Sequence, residues 1–498
     1  MRARRPRGLG TSVNWQLVVP VVGGTLGAVG LGMVVCALTA LAAGDGAVVP
    51  FSAPAAGALA VAALALGSAR RLRSIPFRAR DGFLAVTLAW IAAAAAGAVP
   101  FLLHGTLDRP VDAFFESMSG FTTTGATLID RVEGEPHAIL LWRSLMQWMG
   151  GVGIVVLVVA IAPATGMATN RVFYAETSGM AAERLTPRIA DTAKILWGVY
   201  LGLTAAGFLA FLLAGMGPFD AVNHIFAAIS TGGFSTRTSS IAAFDSLGIE
   251  LVAIVFMVAG GINFSLYWGA LTGRGSMRPQ LVELRAYAAI IVVSTAVIAV
   301  TLVGSEPPVG TGRAVRDAAF TVTSIMTTTG FTTADFDQWS SLARLVVLLL
   351  MFIGACAGST SGGIKVMRVL LLAKAAAQEV EQQVRPTTVQ VLRLGGRVFS
   401  EEVRKGVLAF FSIYLLIFVT GTIVMTAIGE DPATAVSSVS ATLNVIGPGL
   451  GDVGATENYS AIRAGGLWFL SALMLAGRLE VFTVLVLLTP AFWRRSVA

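Results

Sequence analysis

Apolar runs of roughly the twenty residues needed to cross a bilayer as a helix recur along the chain. They cover 15–42, 50–69, 81–104, 138–163, 192–216, 246–271, 284–304, 341–375, 404–428 and 463–492. Polar stretches separate them. Ten crossings put both ends of the chain on one side, and the basic residues say which. Arg2, Arg4, Arg5 and Arg7 precede the first run, and Arg70, Arg71, Arg73, Arg78 and Arg80 lie between the second and third. Further clusters fall at 171–194, 274–285, 365–405 and Arg494–Arg495. All land on one face, which the positive-inside rule makes cytoplasmic. The first run, from Trp15 to Ala43, is far longer than the ~7–15 residues of a secretory core, so an uncleaved helix is expected.

The segments on the opposite face, 105–137, 217–245, 305–340 and 429–462, share a second pattern. Each holds an apolar piece too short to cross, followed by a small polar run with glycine. They are DAFFESMSGFTTTGATL from Asp112, DAVNHIFAAISTGGFST from Asp220, DAAFTVTSIMTTTGFTT from Asp317 and DPATAVSSVSATLNVIGPGLG from Asp431. Aligned on Gly125, Gly233, Gly330 and Gly447, they recur at intervals of 108, 97 and 117 residues, the sign of one unit used four times. An Asp at the head of each suits a helix N-cap. About nine helical residues then cover only ~13 Å, roughly half a bilayer. The chain must stop at mid-membrane and return as the Thr/Gly run, which survives there only inside protein or against a water-filled lumen. Four short helices aim their negative carboxyl ends at one point, which favours a cation. Thr/Gly backbone can offer it rings of carbonyls in place of water. A single TTTG would serve ordinary helix packing; four in the same relation to half-length helices argue for a filter.

Composition agrees with the membrane reading. Of 498 residues 55% are hydrophobic and 13% charged, with mean hydropathy +0.78, against about 25% charged in soluble domains. The net charge of +7 sits at the ends of apolar runs and marks topology, not nucleic-acid binding. Cys36 and Cys356 support neither a disulfide framework nor a thiolate site. His104, His137 and His224 share no metal-ligand spacing, and no GxSxG, HExxH or GxxxxGK[ST] motif occurs. Enzymatic readings therefore fare poorly. A proton- or sodium-coupled transporter would need mid-membrane carboxylates, for which Glu480 and Glu116 are the candidates.

A gate is also legible. The run 341–375 exceeds one crossing, and GACAGSTSGG (Gly354–Gly363) in its middle breaks helix. Two half-helices joined by an intramembrane loop are expected, with Gly354, Gly358, Ser359, Thr360, Ser361, Gly362 and Gly363 in the loop. Arg478 falls near the middle of the last run, where a charge must face the bundle interior or a wet path. Glu480, two positions on, points to another side of a helix and is a poor local partner. Arg478 either forms a constriction with the 354–363 loop or ties two helices through carbonyls. The glycine pairs of QWMGGVGI (147–154) and AGGINF (259–264) suit close helix packing.

A helix–pore loop–helix unit used four times resembles the Trk/Ktr/HKT superfamily of potassium transporters. The two extra N-terminal spans, GACAGSTSGGIKVMRVLLL (354–372) and AGRLEVFTVLVLL (476–488) resemble its TrkH branch, over essentially the whole chain. The resemblance implies an all-α polytopic membrane protein with four pseudo-repeats around one central pore. Its divisions would be a two-helix segment at 1–75 and pore repeats at 76–165, 166–275, 276–380 and 381–498. It implies K⁺ coordination by backbone carbonyls at Thr122, Thr123, Thr124 and Gly125; Ser230, Thr231, Gly232 and Gly233; Thr327, Thr328, Thr329 and Gly330; Asn444, Val445, Ile446 and Gly447. The fourth set departs most, with apolar Val445 and Ile446 and Pro448 after the glycine. Glycine at all four aligned positions implies preference for K⁺ over Na⁺; a sodium-permeable or proton- or sodium-coupled symporter of the same fold is the alternative. Potassium is cargo, and no cofactor is expected on this chain. The resemblance further implies a homodimer in the bacterial inner membrane that docks a TrkA-like nucleotide-binding ring. Segments 171–194 and 374–405 suit such docking, or binding to anionic lipid heads.

Overall fold

The computed structural model describes residues 13–69, 79–164, 189–273, 278–305, 309–386 and 390–493. The arginine clusters at 2–7, 70–78 and 494–495 and most of the basic segment 171–194 lie outside these residues. Among the described residues, six helices are long and apolar enough to cross a membrane, and two bent helix pairs add to them.

Trp15–Ala43 and Val48–Ala69 form an antiparallel pair. Small residues bring their backbones together: Gly23, Gly27 and Gly30 lie over Ala65, Ala62 and Leu59 in turn, and a Cβ on Gly30 would sit 3.0 Å from the Leu59 side chain.

The same succession then runs four times: a long helix, a half-length helix, an irregular loop and a returning helix. The long helices are Ala79–His104, Ile189–Leu213, Arg278–Val303 and Glu401–Ile428. The half-length helices are Pro110–Phe121, Pro218–Ile229, Thr311–Met326 and Pro432–Leu443. Three open on proline, whose fixed φ and missing N–H suit a first turn. At 12 residues they are about 18 Å long, too short to cross.

The aspartates expected at the N-caps divide. Only Asp431 caps, accepting from the N–H groups of Ala433 and Thr434 at 2.9 and 3.2 Å. The other helices begin earlier than expected, capped by Arg109, Gly217 and Gly310, so Asp112 and Asp220 fall in the first turn and Asp317 beyond it. Each finds an arginine instead: Asp112 pairs with Arg109, Asp220 with Arg237 and Asp317 with Arg313.

The returning helices are His137–Ala164, Leu247–Gly261 with Phe264–Thr272, Ser341–Phe352 with Val366–Val384, and Ala464–Arg478 with Phe482–Leu488. The third carries the expected break, at 353–365. The second and fourth, expected as single crossings over 246–271 and 463–492, also break and turn by 90° and 118°. A two-stranded hairpin, Arg393–Leu394 with Arg397–Val398, turns on Gly395 and Gly396, both at positive φ.

Candidate functional site

The four loops leave their helices by one backbone path. Thr122, Ser230, Thr327 and Asn444 end the helices in right-handed conformation. The next residues, Thr123, Thr231, Thr328 and Val445, take φ of 58°, 55°, 58° and 61°, and Gly125, Gly233, Gly330 and Gly447 take 82°, 79°, 83° and 100°. The loop N–H groups fold back on the last helical turn: Thr123 and Thr124 bond to Gly120 O and Ser119 O, and the pattern repeats at Thr231 and Gly232, Thr328 and Thr329, and Val445 and Ile446. Donors are thus consumed and acceptors left over. Among the described residues, nothing donates to the main-chain oxygens of Thr122–Thr124, Thr327–Thr329 or 444–446.

The glycines close a ring. A side chain on Gly125 would collide with the Gly232 carbonyl, one on Gly233 with that of Thr329, and one on Gly330 with that of Ile446. On Gly447 it would come within 2.7 Å of the Thr124 carbonyl. First loop meets second, second third, third fourth and fourth first. All four glycines line one mouth, a cavity of about 110 Å³.

Polar bonds tie neighbouring units around it. Buried Arg143 reaches Glu116 at 2.9 Å and the Ser235 carbonyl at 3.0 Å, with its guanidinium over the Phe234 ring. Arg316 donates two hydrogen bonds to the Glu250 carboxylate, at 2.6 and 2.7 Å. Gly451 N–H reaches Asp337 at 3.1 Å, and Tyr459 N–H reaches Thr127 O at 2.9 Å. Gln147 spans the second loop, donating to Gly232 O and accepting from Phe234 N–H at 3.1 Å. Arg143 and Gln147 lie on a returning helix, where an apolar run gave no reason to single them out.

Glycines let the returning helices touch the ends of the half-length ones. Gly150 packs on the Phe121 carbonyl, Gly260 on that of Ile229 and Gly477 on that of Leu443. Their counterpart Gly354 packs on Gly362 O of the 353–365 loop.

That loop lies directly against three of the four filter-like loops. Thr360 Oγ1 donates toward Ile229 O and Gly260 O, each at 3.1 Å, and lies 3.4 Å from Thr231 Oγ1. Gly362 N–H donates to Thr328 Oγ1 at 2.8 Å, and Gly362 abuts Asn444 O. Ser359 and Ser361 share a hydroxyl bond of 2.8 Å. Gly358 O accepts from Phe264 N–H, and Gly358 lies against the Asn263 side chain.

Arg478, buried, sits at the end of its half-helix and not in the middle of a crossing. It donates to Thr360 O at 2.6 Å and to Gly150 O at 2.9 Å, one carbonyl in the 353–365 loop and one on the first returning helix. Glu480 pairs with Arg368 at 2.6 Å, and Glu116 with Arg143. Among the described residues no group of three His, Cys, Asp or Glu could hold a metal, and Cys36 and Cys356 are buried free thiols.

Four re-entrant helix–loop units in a closed ring within a polytopic helical fold define a membrane transport protein. Comparison with known proteins carries this to a family. Residues 55–495 match the TrkH family, described as cation transport protein. Over 488 residues the chain is 41% identical to the Trk system potassium uptake protein TrkH of Vibrio parahaemolyticus, covering 97% of this chain and all of that one. It is 41% identical to TrkH of Escherichia coli K12 over 93% of this chain and 96% of the other, and 34% identical to TrkG of that organism over 84% and 87%. The crystal structure of the potassium transporter TrkH from Vibrio parahaemolyticus superposes with a TM-score of 0.87 at 40% identity, covering 97% of this chain and 100% of that one. The chain belongs to the TrkH family, a family of transporters and not of enzymes.

Proposed function

We propose that this protein takes up potassium across the bacterial inner membrane through a pore whose filter is the ring of four loops. The observation that carries the reading is the ring itself: carbonyls from successive repeats meet at the glycines in closed order, those of Thr124, Thr329 and Ile446 with no donor among the described residues and that of Gly232 accepting from Gln147. Carbonyl oxygens replacing a hydration shell suit a monovalent cation, and the relatives are named as potassium uptake proteins. The ion contacts fall to main-chain oxygens of 122–125, 230–233, 327–330 and 444–447. The 354–363 loop and Arg478 form the gate beneath them. The protein works as a homodimer with a cytosolic nucleotide-binding partner. A coupled symporter needs a carboxylate free to change charge during transport; Glu116 and Glu480 are each held by an arginine, which argues against either as the coupling group.

Flux in proteoliposomes tests this. Rb⁺ uptake should be competed by K⁺ and hardly by Na⁺, and Na⁺ winning the competition overturns the ion assignment. Arg478→Ala frees Thr360 O and should raise flux in the absence of any partner. Unchanged flux removes Arg478 from the gate.

A further inference from the structure

The base of the 353–365 loop is held from a direction that Arg478 does not reach. Glu283, on the long helix Arg278–Val303, has no exposed surface. One of its carboxylate oxygens, Oε1, accepts two main-chain bonds: from Ala357 N–H at 2.7 Å, on the way into the loop, and from Met367 N–H at 3.1 Å, just after it. Ten positions of chain are pinched together on a single atom. The second oxygen, Oε2, is buried and has no partner among the described residues. A buried carboxylate that leaves half its acceptor capacity unused is costly to keep, and its hydrogen bonds among the described residues serve this staple alone.

Backbone bonds spread the hold. Ile364 N–H donates to Phe352 O, and Val366 N–H to Ala355 O. Cys356, beside Ala357 and buried, donates its N–H to Gly261 O at the break in the second returning helix. The loop tip is fastened by Arg478 through Thr360 O; its two ends are fastened by Glu283.

We propose that Glu283 is the positioning residue that keeps the intramembrane loop closed at its base, acting through Ala357 and Met367 and touching no ion. This rests on the gate reading above. Truncating the side chain leaves two buried N–H groups without acceptors, which disfavours the closed arrangement.

Two readouts separate this proposal from the gate reading. In a Cys36→Ala background, the rate at which N-ethylmaleimide labels Cys356 reports release of the loop base. Basal Rb⁺ flux in proteoliposomes reports opening. Glu283→Ala should speed labelling about tenfold or more, the equivalent of about 1.4 kcal/mol, and raise basal flux with the K⁺/Na⁺ preference unchanged. Glu283→Gln keeps an acceptor at Oε1 and should label slowly, as the parent does. Should Glu283→Ala fail to fold, judged by gel filtration, Glu283→Asp carries the same test, since a side chain one methylene shorter cannot span both donors. Unchanged labelling in the folded truncation variant overturns the staple. Faster labelling without added flux leaves the staple standing and removes the loop from the gate.

Discussion

At the residue where each loop turns, three threonines and a valine hold a left-handed conformation that β-branched side chains avoid. Such strain costs about 1–3 kcal/mol per site and persists only when surroundings impose it. The four side chains do different work. Thr328 Oγ1 accepts from Gly362 N–H, and Thr231 Oγ1 donates to Ser230 O, whereas the Thr123 hydroxyl is buried with no partner among the described residues. Val445 has no hydroxyl at all. Hence Thr123→Val should keep Rb⁺ uptake and K⁺/Na⁺ preference within about twofold, because it removes an unused polar group of nearly the same shape. Thr328→Val orphans Gly362 N–H and should loosen the loop, seen as raised basal flux. If Thr123→Val abolished uptake, the hydroxyl itself would have to face the ion. The Thr/Gly runs were legible from their recurrence; the strained residue within them was not, because no local rule places threonine or valine at positive φ.

Among the elements, the returning helices differ most from what their apolar runs suggested. Hydropathy adds along the chain and ignores its direction, so 246–271 and 463–492 looked like crossings although each turns sharply inside. The clue was present: Gly260–Gly261 before Asn263, and Gly477 before Arg478, mark where a helix meets another backbone and then stops. At the second break, Asn263 caps the new helix through Ser265 N–H at 2.9 Å, and the carbonyls freed at Gly260 and Gly261 take N–H groups from Thr360 and Cys356. The unbroken first returning helix carries Arg143, whose ion pair with Glu116 lies within repeat one and whose bond to Ser235 O reaches repeat two. Arg143→Met strands a fully buried Glu116, whose other acceptor sites serve Leu128 N–H and Thr127. Removing one partner of such a pair costs about 3–5 kcal/mol. Adding Glu116→Gln to Arg143→Met neutralises the stranded charge and keeps an acceptor for Leu128, so thermal unfolding in detergent should show most of the loss recovered. A double variant no more stable than the single one would assign the cost to lost packing of Arg143 over Phe234.

For the whole molecule, the ring closes unevenly, and this decides how far four repeats act as equals. Three joints are tight: at Gly125, Gly233 and Gly330 an added methyl would run into the neighbouring carbonyl with no room to pass. At the joint from fourth repeat to first, the same methyl on Gly447 meets Thr124 O at 2.7 Å and Gly125 C at 2.9 Å, a milder overlap that still obliges the backbone to move. Gly447 also has the widest φ of the four, and its carbonyl accepts from the Tyr459 hydroxyl at 2.7 Å, a bond outside the ring. The fourth loop is therefore set partly by Tyr459 and only partly by its neighbours, in keeping with the departures at Val445, Ile446 and Pro448. Alanine at each glycine carries a conformational penalty for positive φ, heaviest at Gly447 with its φ of 100°, so a smaller loss there can come only from its looser joint. Rb⁺ uptake should fall by about a hundredfold or more for Gly125→Ala, Gly233→Ala and Gly330→Ala, and by about tenfold for Gly447→Ala, a gap of about 1.4 kcal/mol in barrier height. Equal losses at all four positions would mean that the ring behaves as a symmetric unit and that the looser joint has no bearing on the ion.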